Sequence, residues 1–129
     1  MARIRRSNTK PERVVRSLLH ALGYRFRIQV RGVPGRPDIA LPGRRKAIFV
    51  HGCFWHGHEG CRLHHIPKTR PAFWTAKFAR NRERDDRLLS AAQQAGWACL
   101  VVWECEIGDS GLKDRLIRFL GPTRRPPTT

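Results

Sequence analysis

The sequence predicts an α/β fold, a mixed sheet flanked by helices in the order α-β-β-β-α-β-α. Three observations lead there. An apolar stripe at helical spacing lies between Thr9 and Gly23. Two short apolar runs, DIAL and KAIFVH, are separated only by PGRR. A long helical stretch then leads to one more apolar run at 97–103. The close pair reads as an antiparallel hairpin, and a strand reached through a crossover helix runs parallel to its neighbour, so the sheet is mixed.

Each element has a local reason. Thr9-Lys-Pro-Glu12 is a capping box opening the first helix. Val14, Val15, Leu18, Leu19 and Leu22 give that helix its apolar face, and Gly23 stops it. Tyr24, Phe26, Ile28 and Val30 alternate with Arg25, Arg27 and Gln29, as in a strand with one wet, basic face. RGVPGRP is a loop, and 38–41 and 46–51 form the hairpin strands. Pro67 and Pro71 bracket a turn before a helix over about 72–95, closed by Gly96. The run 97–103 is almost continuously apolar, the pattern of a strand buried on both faces. A last helix fits Leu112–Leu120, and the tail GPTRRPPTT, 121–129, is expected to be disordered. The 129 residues thus form a single domain over 1–120, with no internal repeat.

The formal charge is +16, from 26 Lys and Arg against 10 Asp and Glu, and Arg dominates in runs such as RIRR and GRRK. A single domain this basic points to a polyanion partner, and Arg suits bidentate phosphate and base contacts. Residues 1–46 hold 13 basic groups and only two acids, Glu12 and Asp38. The N-terminus is too polar for a secretory signal, and the longest apolar run is far short of a membrane span. A soluble, intracellular protein is expected, whose four cysteines serve as metal ligands or buried side chains rather than disulfides.

The stretch HGCFWHGHEGC, 51–61, concentrates the chemistry. Asp38 opens the first hairpin strand and faces the end of the second, where Val50 and His51 lie. A carboxylate, a nearby carbonyl and water suit Mg²⁺, and phosphodiester cleavage uses such a cation. Glu12 either assists there or only closes its capping box; Asp38 alone could simply stabilise a turn. His51 and His56 are candidate proton-transfer groups, one as general base and the other orienting it or binding phosphate. Cys53, His58 and Cys61 have the donor types of structural zinc, with Cys105 as fourth ligand. Cys99, inside the apolar strand, is better read as core. Phe54 and Trp55 either pack inward or wedge between base pairs, with Trp74 in support or packing as helix core.

GRPDIAL, FVHGCFWHGHEGC, TRPAFWTAKFARNRERD and GWACLVVWEC together resemble the very-short-patch-repair (Vsr-type) mismatch endonucleases over most of the chain. The resemblance implies a restriction-endonuclease-like core and a bacterial, cytoplasmic, nucleoid-associated DNA repair enzyme. Such enzymes nick one strand beside the thymine of a T·G mismatch left by deaminated 5-methylcytosine. It implies that Asp38 and the Val50 carbonyl bind catalytic Mg²⁺, that His56 and His51 are catalytic, and that Glu12 supports water on the metal. It further implies structural Zn²⁺ on Cys53, His58, Cys61 and Cys105, and intercalation by Phe54, Trp55 and Trp74. Val50 stands where the family commonly has Thr, a change that a backbone ligand tolerates. Family members carry more residues ahead of the Met1 position, a segment that embraces DNA. A monomer is expected, since one nick needs one active site; repair-protein partners leave no signature. Two other readings stay open: a restriction-type or structure-specific nuclease of the same core, and a zinc-stabilised DNA-binding module without catalysis.

Overall fold

A computed structural model describes residues 9–30 and 32–123. It has three helices, α1 (Lys10–Leu22), α2 (Pro71–Gln94) and α3 (Leu112–Leu120), and four strands, β1 (Arg27–Ile28), β2 (Ile39–Leu41), β3 (Lys46–His51) and β4 (Ala98–Trp103). The strands lie in the order β1-β2-β3-β4. The first two pairings are antiparallel and β3–β4 is parallel, so the sheet is mixed as expected.

The local signals act where the sequence places them. The Thr9 side chain accepts a hydrogen bond from the Glu12 N–H, capping α1, and Gly23 ends the helix at φ 90°. The PGRR connection becomes a short 3₁₀ turn, Pro42–Arg44, and Arg45 takes a left-handed backbone to enter β3. The resulting register sets Ile39 against Ile48 and Leu41 against Lys46.

β3 is the central strand, and its alternation builds two cores. Ile48 and Val50 pack with Val15 and Leu19 of α1 and with Leu112, Leu116 and Leu120 of α3. Ala47 and Phe49 face the other way, toward Ala92 of α2. The loop before β2 passes against α2 at Gly35. A Cβ there would stand 2.2 Å from the Leu88 carbonyl oxygen, and φ is +90°, so only glycine permits this approach to α2.

Three expectations need correction. The strand read over 24–30 contracts to Arg27–Ile28, because Gln29 adopts a left-handed backbone and Ile28 is exposed rather than inward. The strand read as buried on both faces is an edge strand: of β4 only Val102 is buried. Its apolar run covers half-exposed surface, and the strand buried on both faces is β3. Of the expected disordered tail, Gly121 and Pro122 are tied back, their carbonyls accepting from Tyr24 and Arg44. Residues 124–129 lie outside the described residues.

Candidate active site

Strand directions gather the chemistry at one end of the sheet. β3 and β4 run parallel and pair His51 with Trp103 at their C-terminal ends; β2 runs the other way, so Asp38 at its start meets the same end. The carboxyl ends of strands in α/β sheets are where ligands commonly bind.

Asp38 Oδ2 accepts a hydrogen bond of 2.7 Å from the Val50 N–H. Glu12, buried on α1, stands beside it: its charge and a hydrogen bond both act on Asp38. Burial pushes the Asp38 carboxyl up to about 7, the Val50 N–H opposes this, and the Glu12 charge adds to it. Two carboxyl groups close together out of water favour either a shared proton or a cation between them. Glu12 therefore does more than end its helix cap. Val50 engages Asp38 through its N–H.

Next along β3, the His51 and His56 rings stack in parallel, 4.2 Å apart at 3°. Burial pushes the His51 imidazole down to about 4, with the His56 charge acting the same way. His56 Nδ1 contacts the Asp85 carboxylate of α2 directly. Asp85 was missed in the sequence, where it sits in the charged run RNRERDDR and resembles a solvated helix face. Only the crossover, which lays α2 across the exit of β3, brings it to His56.

Cys53, His58, Cys61 and Cys105 converge, with ligand atoms all within 4.8 Å of one another, and can hold a metal ion. These are the four residues the sequence grouped, with Cys105 arriving from the turn after β4. Burial pushes the Cys53 thiol up to about 12. The Cys105 N–H donates to Cys53 Sγ at 3.3 Å, and Glu104 accepts from the Cys53 N–H at 3.2 Å. Cys99 stays apart on β4, packed against the second core. Trp103 joins the two centres: it stacks on His58 at 4.0 Å and presents an edge to His51 at 5.1 Å. It carried no signal beyond ending an apolar run.

Phe54, Trp55 and Trp74 form one aromatic surface, with centroids 5.1 to 6.0 Å apart. They are half-buried, seated on buried Phe78. The backbone under the pair is held from two sides. His64 Nδ1 meets the Phe54 carbonyl at 3.1 Å, and the Asn81 amide donates to the Trp55 carbonyl at 2.8 Å. The Lys77 ammonium lies 5.9 Å from the Trp55 ring. An aromatic surface beside cations suits stacked bases and their phosphates. No helix of the described residues is long and apolar enough to cross a membrane.

Comparison with known proteins gives this geometry a context. The family model for DNA mismatch endonuclease Vsr matches residues 1–62. The type II nicking enzyme V.XorIIP of Xanthomonas oryzae is 51% identical over 95% of this chain and 90% of its own length. The DNA mismatch endonuclease Vsr of Escherichia coli is 43% identical over 93% of this chain and 80% of its own. The type II nicking enzyme V.NmeAIP of Neisseria meningitidis is 39% identical over 93% and 86%.

Proposed function

The chain belongs to the Vsr family of DNA mismatch endonucleases, and from that premise we propose that it nicks one DNA strand, in a Mg²⁺-dependent reaction, beside the thymine of a T·G mismatch. Such a mismatch remains when 5-methylcytosine deaminates. One observation carries the reading. A buried Asp38–Glu12 pair lies at the end of the sheet where β3 delivers His51, stacked on the His56 ring that Asp85 holds, and the same loop carries Phe54 and Trp55.

Asp38 and the Val50 carbonyl are the groups to hold Mg²⁺, with Glu12 beside Asp38 placed to hold its water. The donor set fits: oxygen ligands, two carboxyl groups in a buried place, and a carboxyl proton that a cation would displace. When bound, Mg²⁺ supplies charge neutralisation at the phosphate and a more acidic water. His56 accepts the proton as water attacks phosphorus and the P–O bond to the leaving strand breaks. With Nδ1 turned to Asp85, its Nε2 carries the lone pair that does so. Asp85, accepting from Nδ1–H, fixes that tautomer and the orientation of the ring. His51, kept neutral by burial, supports the His56 ring from its stacked face without adding charge.

Cys53, His58, Cys61 and Cys105 are read as a structural Zn²⁺ site. Three sulfurs and one imidazole match its tetrahedral preference, and a cation offsets the burial that otherwise disfavours the Cys53 thiolate. Phe54 and Trp55, with Trp74, are the wedge. A T·G wobble stacks poorly and opens at lower cost than a matched pair, so the wedge enters there first. The enzyme acts as a monomer, one site per nick, in a single domain over 1–120.

The test is strand-specific nicking of end-labelled duplexes carrying T·G or T·A at one position, in several flanking contexts, with Mg²⁺ or with EDTA. The expected result is Mg²⁺-dependent cleavage beside T in the mismatch alone. Asp38→Ala and His56→Ala abolish it while DNA binding persists. Cutting of both duplexes identifies a restriction-type target instead, and retained nicking in either variant removes that residue from the reaction.

A further inference from the structure

We propose that His51, His56 and Asp85 form a second metal site, selective for a borderline transition cation such as Zn²⁺, and that its occupancy stalls the enzyme. The three side chains place a ligand atom each within 4.8 Å of one another. Two imidazoles and one carboxylate are the donor set of zinc sites that keep open positions. The same set with open positions also binds other first-row divalent cations.

Orientation of a general base explains only part of this cluster. A His–Asp contact accounts for His56 and Asp85. It leaves His51 with a buried Nδ1 that has no hydrogen-bond partner among the described residues. A buried polar nitrogen without a partner is costly and calls for a reason. A neutral imidazole whose second nitrogen is available, stacked 4.2 Å from another imidazole, is suited to donate a lone pair to a cation. The rigidity that selects a metal is present too. Phe49 and Trp103 present edges to the His51 ring at 6.4 and 5.1 Å, and Asp85 is fixed on α2, with its side chain 12% exposed.

The two sites at this end of the sheet differ in their chemistry. Asp38 and Glu12 offer only oxygen and suit hard Mg²⁺, which binds imidazole poorly. The His51–His56–Asp85 set offers nitrogen and suits Zn²⁺. The Cys₃His cluster, with its softer thiolates, fills before it. Zn²⁺ held with Asp85 takes the His56 nitrogen that faces it, Nδ1, which puts the ring's one proton on Nε2 and leaves no lone pair to accept another, so nicking falls once zinc exceeds one equivalent. That consequence, though not the binding site itself, rests on the proposed role of His56.

The experiment starts from the full chain as purified with one equivalent of zinc and titrates it with Co²⁺ and, separately, Zn²⁺. The wild type is expected to take one further equivalent of either ion. Bound Co²⁺ should show a ligand-field band in the visible without thiolate charge transfer. His51→Ala and the isosteric Asp85→Asn should lose this second equivalent while keeping the first and an unchanged circular dichroism spectrum. His20→Ala, an exposed histidine on α1, should keep both. In the Mg²⁺ nicking assay, Zn²⁺ at second-site saturation should lower the wild-type rate by at least about a hundredfold, the low end of a general base's contribution. A chelator that spares Mg²⁺ should restore it. Absence of a second equivalent in the wild type, or its survival in both variants, overturns the site. Occupancy without loss of nicking overturns the stalling. If the wild type nicks no duplex under any metal, the proposed function fails, yet the titration still decides the site.

Discussion

Asp38 is a carboxylate that its surroundings hold close to neutral. Burial and the Glu12 charge push it up to about 7, so in the metal-free protein at neutral pH a proton is still present much of the time. A cation bound there must displace that proton. Affinity for Mg²⁺ is therefore expected to fall about tenfold for each pH unit below 7 and to level off above it. Titration calorimetry between about pH 5.5 and 8 checks this; a flat profile refutes the assignment of Asp38 as ligand. Asp85 carries a second residue-scale consequence. Asp85→Asn keeps the shape but replaces the carboxylate that holds the His56 ring with an amide that can present N–H to it and let the ring turn, so kcat is expected to fall about a hundredfold with KM little changed. A change confined to KM would place Asp85 in DNA binding instead. The two residues differ in legibility for a physical reason. Asp38 is one of only two acids in a strongly basic first third and follows a Gly-Arg-Pro turn, so its neighbours in sequence mark it. Asp85 is marked only by a partner 29 residues away, across a crossover whose angle no local pattern encodes.

Among elements, the loop between β3 and α2 does most to join structure to chemistry. Cys53, His58 and Cys61 meet Cys105 beyond β4, the anchor of the proposed zinc site, and Trp103 stacks on His58 while its edge meets His51. Loosening that anchor should disturb both ends of the Trp103 contact. Cys61→Ser is expected to lose about one equivalent of zinc and to destabilise the fold by on the order of 5 kcal/mol, less than the full zinc-binding free energy of peptides that have no other core. Nicking should fall even where the protein remains folded, because His51 loses its wall. Metal analysis and thermal unfolding measure the first two effects; a zinc-free wild type of equal stability would remove the anchor from the account. α1, α3 and the hairpin were legible because capping, period and turn residues act within a few positions. The length of β1 and the exposure of β4 were not, since both depend on what lies beside them in the sheet. Ile28 belongs to an apolar alternation and yet faces water, because a two-residue edge strand offers it nothing to pack against.

For the molecule as a whole, the formal charge of +16 divides affinity from discrimination. Basic groups neutralise phosphates and release counterions, which strengthens binding to any duplex and weakens steeply with salt. In the proposed function the aromatic surface of Phe54, Trp55 and Trp74 would read the ease of opening a base step, a contact that releases few ions. The charge could be read directly from the sequence; that the aromatics share one surface could not, because Trp74 reaches Phe54 and Trp55 only through the packing of α2, by way of its Phe78, against the loop after β3. Affinity for both T·G and T·A duplexes should fall about a thousandfold between roughly 50 and 200 mM salt, as for some six phosphate contacts. The ratio of the two affinities should stay constant within a small factor. Fluorescence anisotropy with both duplexes over that range measures it. A ratio that collapses as salt rises would mean that mismatch preference is electrostatic, and would move it from the aromatic surface to the arginines. A constant ratio that Trp55→Ala alone brings toward one would leave the wedge as its source.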